Sequence, residues 1–179
     1  MNNRLLISHG MIKFLDLQRI NQRYKTAFKN RFDYFLSEGH YILGSEVSRF
    51  ETNYASYCNT QHCIGVANGL DALTLIFKAY IQLGKLSFGD SVLVPANTYI
   101  ASILSIINSG LKPVFIEPNT ETYNISPKLI KEAISSEVKA ILVVHLYGQL
   151  ADMSAINAVS KGHNLLVIED AAQAHGARD

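Results

Sequence analysis

Cysteine is scarce in this chain of 179 residues: Cys58 and Cys63 are the only two, too close in sequence to staple distant elements. That scarcity argues against a disulfide-built fold and predicts a reduced, cytoplasmic setting. An excess of one charge is also missing. Sixteen basic residues face fifteen acidic ones, a formal net charge of +1, so no long-range field attracts nucleic acid or an anionic membrane. The start, MNNRLLISHGMIKF, holds only a brief apolar triplet, short of a secretory core, and no long apolar run follows, so neither export nor a membrane partner is expected. Repeats, low-complexity tracts and internal linkers are absent too. Neither the P-loop nor the dinucleotide-binding glycine pattern occurs, which removes the main sequence support for ATP hydrolysis and hydride transfer.

What is present suits one medium α/β domain with a helical arm, since 48% of the residues are hydrophobic. Residues 1–10 look unlike the rest and read as a leader or a mis-assigned start, with Met11 as the alternative first residue. Residues 11–60 form the arm. Leu17, Ile20, Tyr24, Phe28, Phe32 and Phe35 recur at helical spacing, predicting one amphipathic helix from Leu17 to Leu36. After a Gly39 to Gly44 turn, Ser45 is the expected N-cap of a second helix. Residues 61–179 change pattern, with short apolar runs HCIGVA, SVLVPA, KPVFIEP, KAILVVHLYG and NLLVIEDA alternating with helical stretches. Ser126 with Pro127, and Asp152, are natural starts for two of those helices. Strands alternating with helices predict a mainly parallel sheet covered on both faces, a three-layer α/β/α domain.

In such a sheet, ligands sit beyond the carboxyl ends of the strands. Three features gather there. Asn68 and Gly69 open a helix whose first-turn N–H groups suit a phosphate, although an Asn-Gly turn also serves purely geometric ends. Tyr99, in PANTYIAS, offers a flat ring for stacking or a core packing residue. Asp170 closes the last apolar run, with Gln173 and His175 just beyond it. An anion site, an aromatic and a carboxylate on one rim fit a phosphorylated heteroaromatic such as pyridoxal 5′-phosphate, because a carboxylate beside a pyridine nitrogen keeps it protonated. The same rim carries Glu117, His145, Tyr147 and Glu169, so a carboxylate-bound Mg²⁺ and phosphotransfer or hydrolysis form a rival reading. Strand alternation speaks against it by turning Glu169 and Asp170 to opposite faces. His145 reads more simply as a hydrogen-bonded structural histidine, and no other His or Cys stands at metal spacing.

The motifs GHYILGSEVSRFE, GVANGLDAL, VPANTYIAS, PVFIEPNTETYNISP, VVHLYGQLADM and VIEDAAQAHGA, in that order, closely resemble the sugar aminotransferases of the DegT/DnrJ/StrS type. These are fold-type-I pyridoxal-phosphate enzymes. The resemblance covers Met11 to Arg178 and is strongest to the branch that aminates a dTDP-linked 3-keto-6-deoxyhexose with glutamate as donor. It implies that Gly69, Leu70 and Asp71 line the cofactor phosphate, Leu70 standing where many relatives carry Thr or Ser. It also implies that Tyr99 stacks on the ring, Asp170 pairs with the ring nitrogen and Gln173 bonds the phenolic oxygen. A homodimer is the expected full-length assembly. The family's Schiff-base lysine falls beyond the AAQAHGA motif and has no match here, so the resemblance implies an N-terminal portion that is inactive alone; no catalytic residue is assigned. At that same position family dehydrases carry histidine, so amination and dehydration are not separated. Family topology further implies that the HCIGVA strand and the strand carrying Asp170 lack outer neighbours, leaving unpaired sheet edges and a detached phosphate helix. A non-catalytic remnant that binds cofactor or nucleotide-sugar is the remaining alternative.

Overall fold

The computed structural model describes residues 12–178; the leader and the Met11 start lie outside them. The chain divides into two compact units after Cys63.

The first unit is helical. Asp16 caps α1, Leu17–Gln22, by accepting the Arg19 N–H, and α2 runs Lys25–Glu38. One continuous helix was expected, but the chain kinks at Tyr24, whose N–H turns back to the Asn21 carbonyl. Neither helix buries a residue, so no packed face compels the helix to run on through Arg23 and Tyr24. Helix α3, Ser45–Tyr57, begins one residue earlier than its expected cap: Gly44 holds the N-cap and Ser45 is already helical. The His40 carbonyl explains this, since a Cβ at Gly44 would stand 2.7 Å from it and only glycine fits so tight a turn.

The second unit holds the sheet. Strands β1 (Ser91–Pro95), β2 (Lys112–Ile116), β3 (Val138–Val144) and β4 (Leu166–Asp170) are all parallel, in the order β2-β1-β3-β4. Helices α4 (Gly69–Gln82) and α5 (Ile100–Asn108) cover one face. Their Leu73, Phe77 and Ile106 join Val92, Val94, Leu142 and Ile168 in one apolar cluster. Helices α6 (Pro127–Ala133) and α7 (Met153–His163) cover the other, where Ile130 and Ile156 pack with Leu93, Ile141 and Val143. Val92 and Val94 on one side and Leu93 on the other show the period-two alternation that makes a doubly covered strand wholly apolar. Ser126 and Asp152 cap α6 and α7 through the Leu129 and Ala155 amides.

Two expectations need correction. HCIGVA is not a strand: residues 62–67 form no ladder and Ile64 is 81% exposed, because no described strand stands beside them to take their backbone hydrogen bonds. Its loss does not detach the phosphate helix. Leu73 and Phe77, one turn apart on α4, anchor that helix in the cluster over β1 and β3.

At the α4–α5 contact the Thr74 hydroxyl is buried with no hydrogen-bond partner among the described residues. An unsatisfied buried hydroxyl is costly, so Thr74→Val is expected to raise unfolding stability by about 1 kcal/mol in urea titrations. A loss of stability would show that the hydroxyl has a partner.

Candidate active site

One pocket of about 550 Å³ lies at the carboxyl ends of β3 and β4, against the N-termini of α4 and α5. Its walls are largely apolar, from Leu73, Ile100, Leu104 and Val144, and its polar groups are few. Of the six residues singled out from the sequence, Gly69, Leu70, Tyr99, Asp170 and Gln173 line it.

Asp71 does not. Its N–H donates to Asn68 Oδ1 at 2.9 Å, and its own carboxylate accepts from Asn68 Nδ2 at 2.9 Å, a reciprocal cap that closes the first turn of α4. The amides left without a partner among the described residues are those of Gly69 and Leu70, the two helical positions before it. A Cβ at Gly69 would meet nothing within 4 Å, so this mouth is open. Two such N–H groups at the positive end of a 14-residue helix are an arrangement suited to an anion.

Tyr99 is the N-cap of α5, extended in backbone and 77% exposed, so its ring is surface at the pocket rather than core packing. Across the rim, Asp170 ends β4. Its Oδ2 accepts the Ser102 hydroxyl at 2.9 Å and its Oδ1 accepts the Ala172 N–H at 3.2 Å. No ion pair engages it among the described residues. Gln173 Oε1 accepts the Tyr147 N–H at 2.8 Å, which commits the oxygen to the loop and leaves the amide NH₂ as the donor. That loop, Leu146–Gly148, is bent: Tyr147 has φ of 57° and Gly148 of 87°. Buried Asn124 staples it, accepting from the Leu146 N–H and donating to the Gln149 carbonyl.

The family profile for the DegT/DnrJ/EryC1/StrS aminotransferase family matches residues 22–179. The chain belongs to this family. Among similar proteins, a dTDP-3-amino-3,6-dideoxy-alpha-D-galactopyranose transaminase of Aneurinibacillus thermoaerophilus is 57% identical over 93% of this chain and 45% of its own length. The crystal structure of S. venezuelae DesV in complex with a ketimine intermediate superposes with a TM-score of 0.86 at 41% identity, covering 93% of this chain and 44% of that one. A GDP-4-keto-6-deoxymannose-3-dehydratase with a trapped PLP-glutamate geminal diamine superposes at 0.79 with 25% identity, over 93% of this chain and 42% of that one. The chain thus spans under half the length of these relatives.

Elsewhere on the rim, the family member's acidic residues do not converge. Glu169 faces away from Asp170 and meets His145 Nε2 at 2.8 Å. His145 is 2% exposed, and its Nδ1 accepts the Ala151 N–H at 3.1 Å, so the ring proton sits on Nε2 and is donated to Glu169. Among the described residues no group of three His, Cys, Asp or Glu side chains could hold a metal ion.

The hydrogen bond from His145 holds the Glu169 carboxyl below its ordinary range, against partial burial, which raises it. A folded pKa below the unfolded one means stabilisation that is present above the ordinary glutamate value of about 4.3 and is lost as pH falls through the folded value. Stability should therefore decline more steeply on acidification in the parent chain than in Glu169→Gln. Parallel urea midpoints from about pH 5 to 3 check this; coincident curves would contradict it. The effect is modest, because Glu169 keeps 52% of its side chain in solvent.

Proposed function

We propose that this pocket holds pyridoxal 5′-phosphate, and that the enzyme to which this chain belongs transfers an amino group from glutamate to a nucleotide-linked keto-deoxysugar. One observation carries the reading: helix N–H groups and a carboxylate that have, among the described residues, no backbone partner and no ion pair respectively face one largely apolar pocket together with an open tyrosine ring. Each matches one part of the cofactor. The Gly69 and Leu70 amides suit its phosphate. Tyr99 suits its ring, the Gln173 amide suits its phenolic oxygen, and Asp170 suits its pyridine nitrogen.

When bound, the cofactor supplies a ring that withdraws electrons from the carbon undergoing proton exchange. What this chain contributes is placement and charge. Asp170 keeps a proton on the ring nitrogen, because a carboxylate with few competing partners in an apolar pocket favours the cationic neighbour. Tyr99, exposed at the pocket, would hold the ring by stacking and shield it from water. Gln173, itself held by the Tyr147 amide, orients the ring about its own axis. Leu70 offers an amide to the phosphate but no hydroxyl.

Amination is preferred over dehydration because the transaminase is 57% identical to this chain and the dehydratase 25%. The PLP-glutamate adduct in that dehydratase supports glutamate as the amino donor. Titrating the chain with pyridoxamine 5′-phosphate and with pyridoxamine tests the site. The phosphorylated form is expected to bind about tenfold tighter or more, through the α4 mouth. Equal affinities, or no binding, would overturn the proposal.

A further inference from the structure

Ser102 closes the motif VPANTYIAS, which was read for Tyr99 and assigns the serine no role, yet it is fully buried at the place where α5 meets β4. Buried serines on a helix commonly bond back to their own backbone, and two neighbours do so: Ser105 to the Ser102 carbonyl and Ser109 to the Ser105 carbonyl. Ser102 instead reaches out of its helix to Asp170 Oδ2, 68 residues away in sequence, at 2.9 Å. Thr98 Oγ1 lies 2.9 Å from the same Ser102 Oγ. An ionised carboxylate only accepts, so the single Ser102 proton is committed to Asp170 and Thr98 must be the donor into Ser102. The chain of hydroxyls therefore has one direction, from Thr98 through Ser102 to Asp170. The Ser102 N–H also bonds the Tyr99 carbonyl at 3.1 Å, so one residue touches both the cap that carries the aromatic ring and the carboxylate opposite.

We infer that Ser102 is a positioning residue that aims the Asp170 carboxylate at the protonated nitrogen of a pyridine-class ligand, with Thr98 orienting the serine hydroxyl. The inference rests on the cofactor reading above. It concerns the ring nitrogen alone, which makes it separable. The probes are pyridoxamine 5′-phosphate and its 1-deaza analogue, in which carbon replaces that nitrogen and no charge remains for Asp170 to meet. S102A should weaken the parent ligand about tenfold, the worth of one hydrogen bond to a charged group, and the deaza analogue about twofold or less. T98V, which keeps side-chain shape and removes only the upstream donor, should show the same selectivity at about threefold, and it carries the test if S102A does not fold. Equal weakening of both ligands would mean that Ser102 merely packs the helix, and unchanged affinity for both would mean that Asp170 is held without it; either result overturns the inference. Failure of the parent protein to bind pyridoxamine 5′-phosphate at all is a different result, which sinks the cofactor reading and this inference with it.

Discussion

Replacing Asp170 with asparagine is expected to lower affinity for pyridoxamine 5′-phosphate by about a hundredfold or more while the chain stays folded. The reasoning separates shape from charge. The asparagine side chain would keep the volume; its oxygen can accept from the Ala172 N–H, and its NH₂ can donate to a Ser102 hydroxyl that turns its own proton to Thr98, so the end of β4 stays in place. What disappears is the negative charge, and with it the reason for a pyridine nitrogen to remain cationic in a pocket walled by Leu73, Ile100, Leu104 and Val144. Isothermal titration of parent and variant supplies the comparison. Affinities within about threefold of each other would show that the carboxylate does not face the ring.

Phe77→Ala should have the largest effect on stability. Phe77 is fully buried on α4 and packs in the cluster built from Val92, Val94, Ile106 and Leu142. Removing a ring from such a site leaves a cavity and costs about 3 to 5 kcal/mol, a large share of what a domain of this size possesses. Because α4 also presents Gly69 and Leu70 at its mouth, loosening that helix should weaken phosphate binding as well. Urea denaturation followed by far-ultraviolet circular dichroism checks the first part. A midpoint within experimental error of the parent would mean that α4 is not anchored through this ring.

Most of the architecture was legible because each layer has its own period. Val92, Leu93 and Val94 form a short apolar run that only a strand covered on both faces tolerates, and Leu73 and Phe77 sit one helical turn apart facing it. Asp152 and Ser126 announced two helix starts by cap chemistry alone. HCIGVA misled for a physical reason: strand character depends on a neighbour, and local apolarity does not say whether one is present. The kink at Tyr24 escaped periodicity because α1 and α2 bury nothing, so their aromatic spacing records no packed stripe.

The site divides in the same manner. Asp170 and Tyr99 were readable because chemistry-bearing residues directly after an apolar strand fall on the sheet's ligand rim. Asp71 was assigned to the phosphate by the resemblance alone; what the structure adds is that its side chain and N–H close the Asn68 cap, as an aspartate three residues after an asparagine is suited to do. Ser102 stood in plain view at the end of VPANTYIAS, three residues after Tyr99 and so on the same side of the first turn of α5, but nothing local gave it a role. Its partner is 68 residues away, and no local pattern signals so distant a contact.

A crystal structure of the chain soaked with pyridoxamine 5′-phosphate tests the central claim most directly. The ring nitrogen should lie about 2.6 to 3.0 Å from an Asp170 carboxylate oxygen, with the phosphate on the Gly69 and Leu70 amides and the Tyr99 ring against the pyridine. A phosphate bound elsewhere, or a ring turned so that its nitrogen points away from Asp170, would contradict the account.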